Sequence, residues 1–373
     1  MKTRNLLLLA LTALLIAILF TCHHQKQSNT IKIGALLSLT GDNAPQGNLA
    51  KNGIMLYLEK LNANGGINGK KVELIIEDTK TQTNATITAF KKLATIDKVQ
   101  GIVVTGDTEF KAVNSKADIY KIPIIATICT GMLDEGRSSW LFRYCYNEVQ
   151  EDAYLMDFVK NDLKATDLVL LYPNTQFGLD FHKYTKEYID KNEINILCDI
   201  AYDFNSTNQR SEAVKIMNTK PNLICARGFG SALEALLRHI KELGFNGTVI
   251  GDLSITTPSL VSNTNGILNG AYIVASDLDM TSDNKAITEY VSAYKRKYGI
   301  DPCFWDAIGY DSFLFLCDAM KETSTVADIK DALYKIQPKG LLLGNNEFKG
   351  KQDVSFDMHI FKLDNKGKLI KIK

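Results

Sequence analysis

Residues 31–79, IKIGALLSLTGDNAPQGNLAKNGIMLYLEKLNANGGINGKKVELIIEDT, constrain the rest of the chain more than any other stretch. Residues 31–37 are a mainly apolar run of strand length, ended by a Gly- and Asn-containing loop at 38–47. Ala50, Ile54, Tyr57, Leu58 and Leu61 then recur at helical spacing, and Gly65-Gly66 supplies a left-handed stop. A second strand follows at 72–77. A β-α-β unit of this kind implies a parallel sheet with a right-handed crossover. Ligands of such sheets bind beyond the carboxyl ends of the strands, where the 38–47 loop falls.

The run Gly65-Gly66-Ile67-Asn68-Gly69-Lys70-Lys71 superficially suggests a phosphate-binding P-loop. It fails on spacing and context: the glycines are too close, Lys71 replaces the required hydroxyl, and a helix precedes where a strand is needed. The likeness lies elsewhere. Gly34, Ser38, Thr40-Gly41, Gly47, Gly53 and the block Leu61-Asn62-Ala63-Asn64-Gly65-Gly66-Ile67-Asn68-Gly69, before a strand ending in Asp78, resemble the amino-terminal signature of the leucine/isoleucine/valine-binding protein family. These are the type I periplasmic solute receptors of ABC transporters. The resemblance resumes at Trp140-Leu141-Phe142-Arg143, and again at Ala307-Ile308-Gly309-Tyr310-Asp311-Ser312, so it covers nearly the whole mature chain.

At 373 residues the chain is long for one domain and comfortable for two. Strand and helix patterns alternate four times up to the strand at 124–128, then start afresh with strands at 168–172, 194–202, 223–226, 248–251 and 271–275. From about residue 277 the chain turns helical, and closing strands are expected at 346–348 and 355–363. The resemblance implies an α/β, type I periplasmic-binding-protein fold: two doubly wound lobes joined by a three-segment hinge. The expected division is 31–148 with 277–354 for lobe 1, and 149–276 with 355–373 for lobe 2.

The first residues stand apart. Lys2 and Arg4 precede an uncharged apolar run at 6–20, the length of a signal-peptide core and short for a transmembrane helix. Leu19-Phe20-Thr21-Cys22 resembles a bacterial lipobox, with Thr21 in place of the usual Gly, Ala or Ser. Cys22 is therefore the expected lipidation site, 1–22 the signal peptide and 23–30 a polar tether. An uncleaved anchor helix is the alternative, and it too leaves the body outside the cytoplasm. The six cysteines after Cys22 show no CxxC spacing and are expected to be mostly free thiols.

A net charge of +1 gives no nucleic-acid footprint, and 23% charged with 45% hydrophobic residues excludes a disordered or multi-spanning chain. GxSxG, HExxH, CxxC and GxGxxG are all missing, and His182 and His239 lack a second His at ligand spacing, so neither an enzyme nor a metal or cofactor is indicated.

Recognition remains. Carried over from the family, Thr130 matches the hydroxyl that binds a ligand carboxylate and ammonium, and Ile128 a residue offering backbone groups. Phe110 falls where a serine is expected and reads as core; Thr108 supplies a hydroxyl instead, or else caps its helix. Phe177 and Phe229 fall at frequent tyrosines, and Gln46 where an aromatic often covers the ligand. Leu253 occupies the position of the acid that holds the ammonium, with Asp252 just before it. The resemblance thus implies a monomeric solute-binding lipoprotein delivering a small organic ligand, an amino acid or close analogue, to an ABC transporter permease in the membrane. Alternatives are an apolar carboxylate or amide as ligand, a sensing module for a separate receptor, and an exported hydrolase.

Overall fold

A computed structural model describes residues 30–373 except Met132, Asp134, Glu135, Asp277, Leu278, Asp279, Thr281, Ser324 and Asn345. Cys22, the apolar run before it and tether residues 23–29 lie outside this set. Thr30, assigned to the tether, is instead the first residue of a strand and pairs with Lys71.

Five strands, β1 (Thr30–Leu37), β2 (Lys71–Asp78), β3 (Ile102–Thr105), β4 (Ile124–Thr127) and β5 (Leu141–Arg143), make a parallel sheet in the order β2-β1-β3-β4-β5. Period-2 alternation sends Ile33, Ala35, Leu37, Val103 and Ile125 to one face, and Leu36, Ile102, Val104, Ile124 and Ala126 to the other. Both faces are buried, which explains why these strands read as continuous apolar runs. Helices α1 (Ala44–Ala63), α2 (Thr83–Lys92) and α3 (Asp107–Tyr120) follow β1, β2 and β3.

The chain then builds a second sheet from β6 (Asp167–Pro173), β7 (Asn195–Tyr202), β8 (Leu223–Ala226), β9 (Thr248–Asp252) and β10 (Tyr272–Ser276). Its helices are α4 (Glu148–Asn161), α5 (Gln176–Lys191), α6 (Arg210–Asn218), α7 (Gly230–Glu242) and the short α8 (Pro258–Asn263). Next, α9 (Lys285–Tyr298) and α10 (Phe304–Lys321) return to the first sheet, followed by α11 (Val326–Leu333). Finally β11 (Met358–Leu363) and β12 (Leu369–Lys371) add to the second sheet antiparallel, giving β12-β11-β10-β9-β8-β6-β7. The doubly wound α/β pair implied by the resemblance is thus present.

One close approach fixes the first unit. A Cβ at Gly53 would overlap the carbonyl oxygen of Asp306, and one at Gly309 the carbonyl oxygen of Ala50. Only glycine lets α1 and α10 cross with their backbones in contact. Above this crossing, Asp311 accepts hydrogen bonds from Leu342 and Leu343 N–H and from the Tyr144 hydroxyl at 3.1 Å. It ties the segment leaving β5 to the chain's later return.

The expected strand at 346–348 does not form. The edge of β5 is occupied instead by an isolated bridge from Arg143 to Asp353, with Arg143 N–H donating to Gln352 O at 2.7 Å. Phe348 is buried by its ring contacts with Phe142 and Phe315, so its apolar character reports burial without a ladder. Among the described residues no helix is long and apolar enough to cross a membrane. The six cysteines 129, 145, 198, 225, 303 and 317 are free thiols.

Candidate functional site

Because both sheets are parallel where they face each other, the carboxyl ends of their strands open onto one crevice. A cavity of about 130 Å³ lies there. That resembles the ~150 Å³ that accommodates benzene, so it suits a small organic molecule.

The first-sheet wall comes from three loops and two flanking positions. The β1–α1 connection brings Asp42, Asn43 and Gln46; the β3–α3 connection brings Gly106, Asp107, Thr108 and Glu109; the end of β4 brings Ile128 and Thr130. Cys145 and Tyr146, just past β5, and Trp305, at the start of α10, complete it. The second-sheet wall carries Thr175, Gln176 and Phe177 after β6, Phe204 after β7, Phe229 after β8, and Asp252 and Ser254 at the end of β9.

Seven of the eight residues singled out from sequence therefore surround one cavity: Gln46, Thr108, Ile128, Thr130, Phe177, Phe229 and Asp252. Leu253 does not. It is 4% exposed and packs in the core, because the chain enters a 3-10 turn (Leu253–Thr256) directly after β9 and turns that side chain inward. Thr108 is not the helix cap either. Gly106 holds that position, and Thr108 lies in the first turn of α3 facing the cavity. Phe110 is fully buried, with the guanidinium groups of Arg137 and Arg143 over its ring.

Ile128 has φ +55°, a left-handed conformation that a β-branched side chain adopts only under constraint. Such backbone costs on the order of 1–3 kcal/mol and is concentrated at functional sites. Next to it, Thr130 directs its hydroxyl to Glu148 Oε1 at 3.4 Å, and Gly131 N–H donates to Asp107 Oδ1 at 2.7 Å. Burial pushes the Asp107 carboxyl up to about 6 despite that hydrogen bond. Burial also drives Glu148 well above the carboxylate range, with the charge of Asp107 adding to the effect.

Glu109 is fully buried. Its Oε1 accepts from Ser38 Oγ at 2.7 Å and from Thr79 Oγ1, while Oε2 has no hydrogen-bond partner among the described residues. Burial raises its carboxyl, and the Thr79 and Ser38 hydroxyls partly offset that.

Asp252, the residue just before the family's acid position, lines the cavity. Its carboxylate is already paired with Arg227, and its Oδ1 accepts from Ser254 N–H at 3.0 Å and from the Ser254 hydroxyl. Arg227, 1% exposed, also reaches Glu151 at 2.7 Å and Asp152 at 2.6 Å and stacks over Phe181. One guanidinium thus serves three carboxylates. Sequence reading missed Arg227, Glu109 and Asp107; their only signal was position, each lying within a few residues of a strand's carboxyl end.

Aromatic contacts line the remainder of this wall. Phe229 stands between Phe177, at 6.2 Å between ring centroids, and Phe204, at 5.4 Å and edge-on. Across the cavity mouth, Lys111 of α3 pairs with Asp180 of α5, joining the two walls directly.

The family model described as periplasmic binding protein matches residues 30–368. An amino acid binding protein of Pseudomonas aeruginosa is 23% identical over 355 residues, covering 91% of this chain and 91% of the relative. The leucine binding protein LivK of Thermotoga maritima superposes with a TM-score of 0.82 at 18% identity, over 92% of this chain and 98% of that one. The branched-chain amino acid transporter substrate binding protein LivJ of Streptococcus pneumoniae, solved in complex with isoleucine, gives 0.81 at 22% identity, over 92% and 99%. Two parallel sheets meeting across one crevice, and a match running from the first described strand almost to the last residue, lead to one conclusion: this chain belongs to the periplasmic binding protein family, with the type I fold of the leucine/isoleucine/valine-binding proteins.

Proposed function

We propose that the protein is the extracytoplasmic solute-binding component of an ABC transporter, capturing a small organic ligand, an amino acid or close analogue, in the crevice and presenting it to a membrane permease. The observation that carries this reading is the cavity itself: hydroxyl, amide and carboxylate groups converge on it from one sheet and phenyl rings from the other. A solute with a polar head and an apolar body satisfies both. The lobes, 31–148 with 277–354 and 149–276 with 355–373, close as rigid bodies because contacts made only in the closed form shift the hinge equilibrium. The protein acts as a monomer, held to the membrane by a lipid on Cys22.

A thermal-shift screen of the mature protein with leucine, phenylalanine, their deaminated acids and short amides tests the ligand class, since a bound solute raises the melting temperature by mass action. A solute that binds is expected to reduce the radius of gyration in solution scattering. An unchanged radius with a proven ligand overturns the hinged reading. For the anchor, Cys22→Ala is expected to release the protein from membranes, and unaltered membrane association refutes lipidation.

A further inference from the structure

The residues around the cavity include four carboxylates, Asp42, Asp107, Glu109 and Asp252, and no Lys, Arg or His. On the second-sheet wall Asp252 is paired with Arg227, a cation it shares with Glu151 and Asp152. On the first-sheet wall no such answer exists for Glu109: it is fully buried, and its Oε2 has no hydrogen-bond partner among the described residues. The carbonyl oxygen of Gln46, a side chain 2% exposed on the same wall, likewise has none. Two buried acceptors, one of them anionic, without a donor to face them are costly unless something supplies one.

A neutral hydroxyl answers the hydrogen bonding but leaves the charge. An anion adds to it. A cationic N–H donor answers both, and the rings of Phe177 and Phe229 opposite give its organic body an apolar face.

We infer that the solute is an organic ammonium whose charged nitrogen is held on the first-sheet wall at Glu109 and Gln46, and that a carboxylate on the solute is dispensable. This rests on the crevice being the ligand site. It also moves the ammonium away from Leu253, which is core, and Asp252, which is taken. The burial that raises the Glu109 carboxyl is offset once a cation lies against it, so binding favours the ionised form.

The test is calorimetric titration of the full mature protein with three matched series: phenylalanine and leucine, their decarboxylated amines, and their deaminated acids. The amines and amino acids are expected to bind and the acids not. Glu109→Gln is expected to weaken amine binding by about tenfold or more. Gln46→Lys, which places a resident ammonium on the same wall, is expected to fold and to block the amines, and it keeps the test decisive where Glu109→Gln is unstable. Phe229→Ala weakens every binder if the crevice is the site. Acids binding as tightly as amines, no amine binding at all, or amine affinity untouched by both wall variants overturns the inference. A binder unaffected by Phe229→Ala overturns the crevice reading instead.

Discussion

The two walls of the crevice are made from the same part of the same kind of unit, the loops after parallel strands, yet they treat charge in opposite ways. The second-sheet wall concentrates Glu151, Asp152 and Asp252 on one buried guanidinium and then presents phenyl rings to the cavity. The first-sheet wall buries Glu109 with only hydroxyl donors, and gives the half-buried Asp107 a backbone N–H. One wall meets its carboxylates with a buried cation; the other has no cation in its lining. A hinged receptor gains from this division, because a group whose partner arrives with the ligand contributes most when the crevice is closed.

The comparison breaks most visibly at Arg227. Arg227→Met strands three carboxylates and is expected to lower unfolding stability by on the order of 3–5 kcal/mol in chemical denaturation; a loss under about 1 kcal/mol means the second wall is not neutralised by that residue. Ser38→Ala removes a donor to the buried Glu109 carboxylate and is expected to cost about 2 kcal/mol, the scale for a hydrogen bond to a charged group. Loss of nothing measurable indicates that Glu109 is held by Thr79 alone.

A third experiment sharpens the contrast through pH. Burial raises Asp107 from 3.8 to about 6, so its contribution to stability is fully present below about pH 4 and lost as the pH rises through 6. Asp107→Asn is expected to flatten the stability profile between those limits by up to about 3 kcal/mol, and an unchanged slope removes Asp107 from the titration. The smallest effect belongs to the apolar wall: Phe204→Ala deletes one edge-on ring contact with Phe229 and is expected to cost about 1 kcal/mol, read from the midpoint of the same denaturation curves.

The layers of the fold were legible because periodicity is local. Runs such as 31–37 and 223–226 read as buried strands from their length and flanking turn residues, and the Gly65-Gly66 stop is written in adjacent residues. The positions of the crevice loops followed from those strands, which is why Gln46, Thr130, Phe177 and Phe229 fall around one cavity. What the side chains do there was less accessible. Arg227 meets Glu151 and Asp152 across 76 and 75 residues of chain, a separation at which no spacing rule operates. Leu253 was misplaced for a different reason: alignment supplies its position after β9, but the 3-10 turn decides which way it points. Phe348 failed in the reverse sense, an apolar residue that reads as strand yet is recruited into the core by two neighbouring rings.

The last strands carry a consequence for how the molecule is made. β11 begins at Met358 and lies between β10 and β12, so the sheet that starts at Asp167 is completed only after residue 358 has been made. The first unit waits as well, since α1 needs α10 from beyond residue 300 as its packing partner. No growing stretch of this chain can complete either unit early, so the nascent polypeptide stays open until β11 has been made. A product ending before residue 358 would leave β10 as a bare edge, a template for pairing with other chains.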